Sequence, residues 1–399
     1  MLKAIFTERL LFLLWYCLLV AILLPQMFYY IYQIFPFALF IYTLSLLVGI
    51  FVLFRFFLFF RKSLFILLIF FFFLLTIFSS FWSVNPVASF SNGFIFFLQI
   101  LPIAIFSFSF EKPKKLLTNT AFFLLFLGFL SSFFLLFLLG WKGLISFFSF
   151  KNVELLNGIS YFFSRLIFGN PNCLAFWLFI TISFTIFVLI QAQNKWLFFL
   201  FLLPQPIVFF FTFSRATLIS LFSFLVCFFF ILKNEKKLLI LVFVIFIGLL
   251  LITFSGWRSK GIIPVSGISG RMEIWKLGLQ FWKENLILGK GFATSPWLLW
   301  EKVQNVHFHN NFLQIGAELG VFGFLLYLFL WIYPIRIGLR KLNENKMSEN
   351  VVPLAFILSF EFAIFLNSFF ESLITYPPFP FFSAIWFFLT TLLVNPYFH

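Results

Sequence analysis

The sequence contains no aspartate, and all twelve acidic residues among its 399 residues are glutamate. This absence excludes, in its usual form, the Asp-x-Asp metal site that holds the diphosphate of a nucleotide sugar. Charged residues make up only 10% of the chain, whereas hydrophobic residues make up 63% and the mean hydropathy is +1.12. Soluble domains do not have this composition, so the sequence predicts an all-α polytopic membrane protein.

Cysteine and histidine are scarce, with three residues of each. Cys17, Cys173 and Cys227 lie in or beside apolar segments and show neither pairing nor metal-ligand spacing. We interpret them as inert thiols. Histidine is the side chain whose charge changes near neutral pH, so three histidines leave few candidates for proton transfer.

Basic residues exceed acidic ones and give a net charge of +15. Most of them lie in short connections between apolar runs, and no basic run is interleaved with aromatic residues, so nucleic acid is not an expected partner. If the helices alternate, these connections fall on one side, which the positive-inside rule makes cytoplasmic together with both termini. The opposite short loops, 26–34, 83–92 and 371–378, carry no Lys or Arg.

About twelve apolar runs are long enough to cross a bilayer, given the roughly 20 residues that one span needs. They predict a single transmembrane domain over residues 1–399. The predicted spans are 10–30, 35–54, 63–82, 93–110, 117–140, 173–191, 196–213, 216–232, 238–255, 312–334, 353–370 and 379–395. The only long extracytoplasmic loop, 256–311, is inserted between helices nine and ten, and a moderate loop covers 141–172.

Part of the long loop, from Gly270 to Gly289, has the periodicity of an amphipathic helix. Its predicted apolar stripe consists of Met272, Trp275, Leu279 and Trp282. The other positions carry Arg271, Glu273, Lys276, Lys283 and Glu284. Aromatic residues on one face suit a helix that lies on the membrane or caps a cavity.

A histidine and three amides stand where the long loop meets the tenth helix, in the segment Phe308–Gln314. His309 would precede a helix N-terminus, whose partial positive charge disfavours an imidazolium. A neutral imidazole can take a proton from a hydroxyl, so His309 is a candidate general base. The alternatives are a loop histidine that shares a helix cap with Asn310, and His307 as the active residue.

An arginine, Arg215, occupies a short extracytoplasmic connection, where the positive-inside rule disfavours it. A guanidinium matches the geometry of a diphosphate, so we expect Arg215 to bind an anion together with Arg271. The alternatives are that Arg215 reaches lipid headgroups and that Arg271 is only solvated.

Three glutamates, Glu318, Glu361 and Glu371, fall within predicted spans or at the end of one, where a carboxyl needs a partner. Glu371 stands at the outer end of the eleventh helix, where it could orient His309. A structural polar contact is an equal alternative for each glutamate. The run Asn170–Asn172 by itself predicts only a turn into the sixth helix.

Several segments, taken in order around the long loop, resemble the O-antigen ligase/polymerase family of bacterial membrane glycosyltransferases. The resemblance is densest over 165–325. It rests on Arg165–Asn172, Phe213–Ala216, Gly270-Arg271 with Trp275, Asn285–Phe292, His309–Gln314 and Glu318–Gly323. One departure is Asn285-Leu286, where the family usually has His-Pro or Asn-Pro before its Gly-x-Gly.

The resemblance implies a helical, GT-C-like glycosyltransferase that needs neither metal nor other cofactor. Such an enzyme takes a glycan from a polyprenyl diphosphate at the outer face of the bacterial inner membrane, with inversion. The acceptor hydroxyl belongs to lipid A–core or to another glycan. His309 maps to the catalytic histidine and Arg215 and Arg271 to diphosphate-binding arginines, and we add Asn310 and Glu371 as substrate-binding candidates. The alternative is a flippase or transporter of lipid-linked glycans, although no matched halves are visible.

Overall fold

A computed structural model describes residues 8–27, 63–149, 170–212, 214–232, 267–344, 351–374 and 380–398. Within these ranges the regular structure is helical, with no strand. The described α-helices are α1 (Glu8–Met27), α2 (Leu64–Phe78), α3 (Pro86–Ser109), α4 (Pro113–Ser149), α5 (Pro171–Gln191), α6 (Lys195–Leu202), α7 (Pro204–Phe211), α8 (Arg215–Leu232), α9 (Gly267–Glu284), α10 (Ser295–Val303), α11 (Asn311–Glu344), α12 (Val351–Asn367) and α13 (Pro380–Val394).

Six helical segments in the described ranges are long and apolar enough to cross a membrane. They are Leu64–Phe81, Pro86–Ser109, Pro113–Gly140, Pro171–Gln191, Arg215–Leu232 and Asn311–Glu344. Three shorter apolar helices are Lys195–Phe211, Val351–Asn367 and Pro380–Val394. This count agrees with the predicted polytopic helical membrane protein. The number of about twelve spans stays a prediction, because the predicted spans 35–54 and 238–255 lie outside the described residues.

Aromatic side chains supply much of the contact between helices. Trp15 of α1 is fully buried and donates its Nε1 hydrogen to Thr120 Oγ1 of α4 at 2.8 Å. Phe224 of α8 packs edge-on against Phe356 and Phe360 of α12, with ring centroids 5.7 and 6.3 Å apart. Helices in a bilayer associate through such packing and through hydrogen bonds, because lipid tails are as apolar as the side chains.

The helices α8 and α12 run antiparallel, which brings the start of α8 beside the end of α12. Asn367 Nδ2 donates to Ser220 Oγ at 3.0 Å near one end of the pair. Phe228 contacts Phe356 nearer the other end, at 6.2 Å between centroids. Arg215, the first residue of α8, therefore lies at the same end of the bundle as the segment that follows Asn367.

The amphipathic helix α9 packs against the first turns of α11, and its buried face differs from the predicted stripe. Met272 and Leu279, two members of that stripe, are 46% and 48% exposed, so they point away from the protein. A Cβ at Gly278 would lie only 2.7 Å from Leu313 Cδ2 of α11, so α9 contacts α11 through a position that has no side chain. The side chains and glycine that face the protein are Ile274, Trp275, Gly278, Phe281 and Trp282.

A break within α11 receives the loop that follows α9. At Gly320 the backbone has φ 65° and ψ −163°, a conformation open to glycine alone. The backbone N–H of Gly291 donates to the Glu318 carbonyl at 2.8 Å, and the N–H of Val321 donates to the Leu286 carbonyl at 2.8 Å. The loop and the broken helix therefore satisfy each other's backbone groups in the way that a buried segment requires.

The same loop is tied to the turn between α2 and α3. Trp82 Nε1 donates to the Leu288 carbonyl at 2.8 Å, and the Phe292 N–H donates to Ser79 Oγ at 2.9 Å. The loop is thus held from two sides, and it forms a rigid support for α10 and for the residues that follow.

The interlock at Gly320 predicts an unequal response of two glycines to the same substitution. Gly140 of α4 has nearly the same conformation (φ 64°, ψ 175°), but an added Cβ there meets no atom of the described residues within 4 Å. At Gly320 the Cβ would overlap the Ile287 carbonyl. Gly320→Ala should lower the thermal unfolding temperature in detergent clearly more than Gly140→Ala, which carries only the backbone strain of order 1–3 kcal/mol. Equal losses would contradict the interlock.

Candidate active site

The backbone turn before α11 sets the position of His309. This residue has φ 50°, in the left-handed region, and its backbone N–H donates to His307 Nδ1 at 3.3 Å. Asn310 then caps α11, because its Oδ1 accepts from the Leu313 N–H at 2.9 Å. The N–H of Asn310 donates to Ser372 Oγ at 2.9 Å, which ties the start of α11 to the segment after α12.

The carboxylate of Glu371 lies at the centre of the site and is 1% exposed. Its Oε1 accepts from Arg271 Nη2 at 2.6 Å and from Asn172 Nδ2 at 2.8 Å. Its Oε2 lies 3.0 Å from His309 Nδ1. One carboxylate therefore joins the first turn of α5, the helix α9 and the turn before α11.

The hydrogen bonds of His309 indicate which ring nitrogen carries the proton. An ionised Glu371 can only accept, so Nδ1 is the donor in this pair. His309 Nε2 is 3.2 Å from the side-chain Nδ2 of Asn305, which can only donate. Nε2 therefore keeps its lone pair. The side chain of His309 is 16% exposed, so this nitrogen belongs to a largely enclosed site.

Residues 197–328 match the family described as O-Antigen ligase. The chain is similar to the O-antigen ligase family over these residues. No curated protein matches the chain significantly. The family supports glycan transfer of the O-antigen ligase type, and together with the spanning helices it indicates a bacterial membrane protein. Its placement in the inner membrane and the cytoplasmic position of both termini stay predictions.

The matched segment holds four of the predicted site residues, Arg215, Arg271, His309 and Asn310. Glu371, the fifth, and Asn172 lie outside it. In the folded protein Glu371 contacts Arg271 and His309 of the matched segment, and Asn172 contacts Glu371. The site is therefore completed by parts of the chain that the matched segment does not contain.

Arg215 and Asn310 stand apart from the Glu371 contacts. Arg215 is exposed and has no hydrogen-bond or ion-pair partner among the described residues. The described contacts do not join it to Arg271, although both lie at the same end of the bundle. Asn310 uses its side chain for the helix cap and for a bond from Nδ2 to the Phe369 carbonyl at 3.2 Å. The substrate contacts of Arg215 and Asn310 stay predictions.

The two other buried glutamates have structural partners. Glu318 is fully buried, and its carboxylate accepts from the backbone N–H groups of Ala293 and Ser295 at 2.8 and 3.1 Å. Glu361 accepts from Trp386 Nε1 at 2.9 Å within the bundle. Neither carboxylate is in hydrogen-bond contact with the Glu371 group, so a structural role fits both.

Two amides that sequence patterns did not assign to the site are part of it. The local sequence predicts only a turn at Asn172, and no pattern singles out Asn305. Both donate from Nδ2, to Glu371 and to His309 respectively. One sequence feature points to Asn172, its place in the run Arg165–Asn172 that resembles the family. Asn residues are common in caps and turns, so their local pattern does not reveal a distant partner.

His307, His309 and Glu371 also have the side chains and spacing of a group that could hold a metal ion. One ligand atom from each lies within 4.8 Å of the other two. Two imidazoles and a carboxylate are ligands that Zn²⁺ accepts. Glu371 hydrogen-bonds to His309 Nδ1 and to Arg271, and His307 Nδ1 accepts from the backbone N–H of His309, which is a metal-free use of the group. Metal-free action stays a prediction, and it can be tested with a chelator.

Burial of the Glu371 carboxylate predicts a large effect of removing its charge. Glu371→Gln keeps the volume but weakens the bonds to Arg271 and His309, so it should destabilise the fold by about 1.5–3 kcal/mol. The measurement is thermal unfolding in detergent. Glu344→Gln is the matched control, because the Arg340–Glu344 ion pair is exposed on both sides and should show no measurable change. Equal stability of the two variants would contradict a central role for Glu371.

Burial of His307 predicts a loss of stability in mild acid. Burial, reinforced by the His309 ring and the Arg271 guanidinium, lowers the pKa of His307 well below its usual range. The unfolded chain then binds a proton below pH about 6.5 that the folded protein does not, so stability falls as pH falls. The loss should approach about 1.4 kcal/mol per pH unit. Unfolding temperatures measured from pH 7.5 to 5.5 should fall less in His307→Gln; equal slopes would contradict the assignment.

Proposed function

We propose that this protein transfers a glycan from a polyprenyl diphosphate to an acceptor hydroxyl at the outer face of the bacterial inner membrane. The observation that carries the proposal is the Glu371–His309 pair, which leaves His309 Nε2 with a lone pair while Arg271 binds the other oxygen of the same carboxylate. The match of residues 197–328 to the O-antigen ligase family supports the reaction class. Lipid A–core sugar is the acceptor for a ligase and another lipid-linked glycan is the acceptor for a polymerase.

In the proposed step, His309 Nε2 removes the proton from the acceptor hydroxyl. The hydroxyl oxygen bonds to the anomeric carbon while the bond from that carbon to the diphosphate oxygen breaks, and the configuration inverts. Glu371 accepts a hydrogen bond from the Nδ1–H group throughout and does not take the proton. It therefore keeps the ring in place and stabilises the imidazolium that forms. The polyprenyl diphosphate leaves with the electron pair of the broken bond.

The arginines are proposed to stabilise the charge that develops on the diphosphate. A guanidinium has five N–H donors, and the hydrogen bond of Arg271 to Glu371 uses one nitrogen, Nη2. The exposed side chain of Arg215 is at the same end of the bundle and can reach an anion from the membrane side. A diphosphate is already a good leaving group, so this arrangement needs no metal and no separate general acid.

Double displacement would need a carboxylate nucleophile with access to the anomeric carbon. Glu371 is a poor candidate, because it is 1% exposed and holds Arg271, Asn172 and His309. Attack by Glu371 would break these hydrogen bonds. This environment supports single displacement with inversion.

A change of His309 to asparagine tests the proposed base. Asparagine tolerates the left-handed backbone of this position but cannot accept a proton, so His309→Asn should fold and bind donor normally. Transfer should fall roughly 10²–10⁴-fold. The assay follows glycan transfer by purified protein in nanodiscs, and donor binding is measured with a polyprenyl diphosphate analogue.

Gln304→Asn is the matched control, because Gln304 has φ 50° as well and is exposed. Near-normal transfer by His309→Asn would remove His309 from the mechanism. The same assay with EDTA should show an unchanged rate, whereas a loss restored by Zn²⁺ would assign the His307–His309–Glu371 group to a required metal. In a deletion strain, lipid A–core without polymer indicates a ligase and a single-repeat product indicates a polymerase.

A further inference from the structure

The side chain of Asn305 is held in one orientation by the backbone around it. Its Oδ1 accepts from the N–H groups of Val306 and His307 at 2.8 and 3.4 Å. Because the oxygen is used there, the Nδ2 group is the one that points to His309 Nε2, 3.2 Å away. The donor and acceptor roles of this pair therefore follow from the hydrogen-bond network.

A chain of hydrogen bonds anchors Asn305 to the transmembrane helix α11. The carbonyl of Val306 accepts from Ser295 Oγ at 3.0 Å. The backbone N–H of Ser295 donates to the buried carboxylate of Glu318 at 3.1 Å. Asn305 is thus positioned by the bundle, although it lies in the loop between α10 and α11. Such a supported side chain suits a binding group, because little order has to be gained when a ligand arrives.

We propose that the acceptor hydroxyl binds between Asn305 Nδ2 and His309 Nε2, so that Asn305 is a positioning residue for the acceptor. This inference rests on the function proposed above. Asn305 Nδ2 can only donate and His309 Nε2 can only accept, and a hydroxyl does both. The hydroxyl oxygen accepts from Asn305 while its hydrogen is donated to His309. The hydroxyl replaces one hydrogen bond with two, and neither protein group loses a partner.

The arrangement also selects the class of acceptor. A protonated amine has donors but no acceptor, so it cannot take the hydrogen bond from Asn305. A hydroxyl held by Asn305 has its hydrogen directed to the base and its oxygen lone pairs free for the anomeric carbon. Holding the nucleophile in this way favours sugar hydroxyls over amines, and it prepares proton removal and attack together.

Asn305→Asp separates acceptor positioning from a structural role. Aspartate keeps an oxygen for the two backbone N–H groups and caps them as well as asparagine does. It replaces the Nδ2 donor with an acceptor, so it cannot hold the hydroxyl oxygen. We expect the KM for acceptor to rise about tenfold or more, while the Kd of a polyprenyl diphosphate analogue is unchanged. The acid limb of the pH–rate profile should also move to higher pH, because a carboxylate beside Nε2 favours the protonated ring.

Gln304→Glu makes the same amide-to-acid change at the neighbouring exposed position, and it should leave all three quantities unchanged. The donor is polyprenyl diphosphate glycan extracted from a deletion strain, and the acceptor is whichever of lipid A–core or lipid-linked glycan supports turnover. A wild-type acceptor KM and pH profile in Asn305→Asp would leave Asn305 only a structural role and overturn this inference. If wild-type protein transfers no glycan in this assay, the proposed function fails instead.

Discussion

The buried carboxylate of Glu371 is the group on which the candidate site depends. A charge removed from water is costly unless hydrogen bonds and an opposite charge compensate for it. Arg271 supplies the opposite charge, and Asn172 and His309 supply further donors. Because the three partners come from different helical segments, satisfying one carboxylate also fixes how α5, α9 and the start of α11 are placed relative to each other.

A second constraint is the break of α11 at Gly320, which supports the loops that carry part of the candidate site. The break lets the loop after α9 enter the helix and pair with its backbone, and Glu318 holds the next part of the same loop. The loop then supports Asn305 through Ser295. The proposed general base needs a fixed geometry, and α11, which is long and apolar enough to cross a membrane, supplies it to residues that lie in loops.

The sequence predicted His309, Arg271 and Glu371 as site residues, and the structure brings these three together. His309 could be found because a histidine at the junction of a polar loop and an apolar run is a local pattern. Periodicity predicted the apolar stripe of α9, but it could not show that Met272 and Leu279 are exposed or that Gly278 meets α11, because it does not record what a neighbouring helix requires.

The sequence alone determined the class of the molecule, since apolar runs of spanning length and basic loops are properties of local composition. It also determined which histidine stands before α11. Only the tertiary structure decided that Asn172 and Asn305 belong to the site and which nitrogen of His309 keeps its lone pair. Asn172 and Glu371 are 199 positions apart, and such a contact forms only when helices from both ends of that interval pack together. A pattern read over a few residues carries no record of that packing.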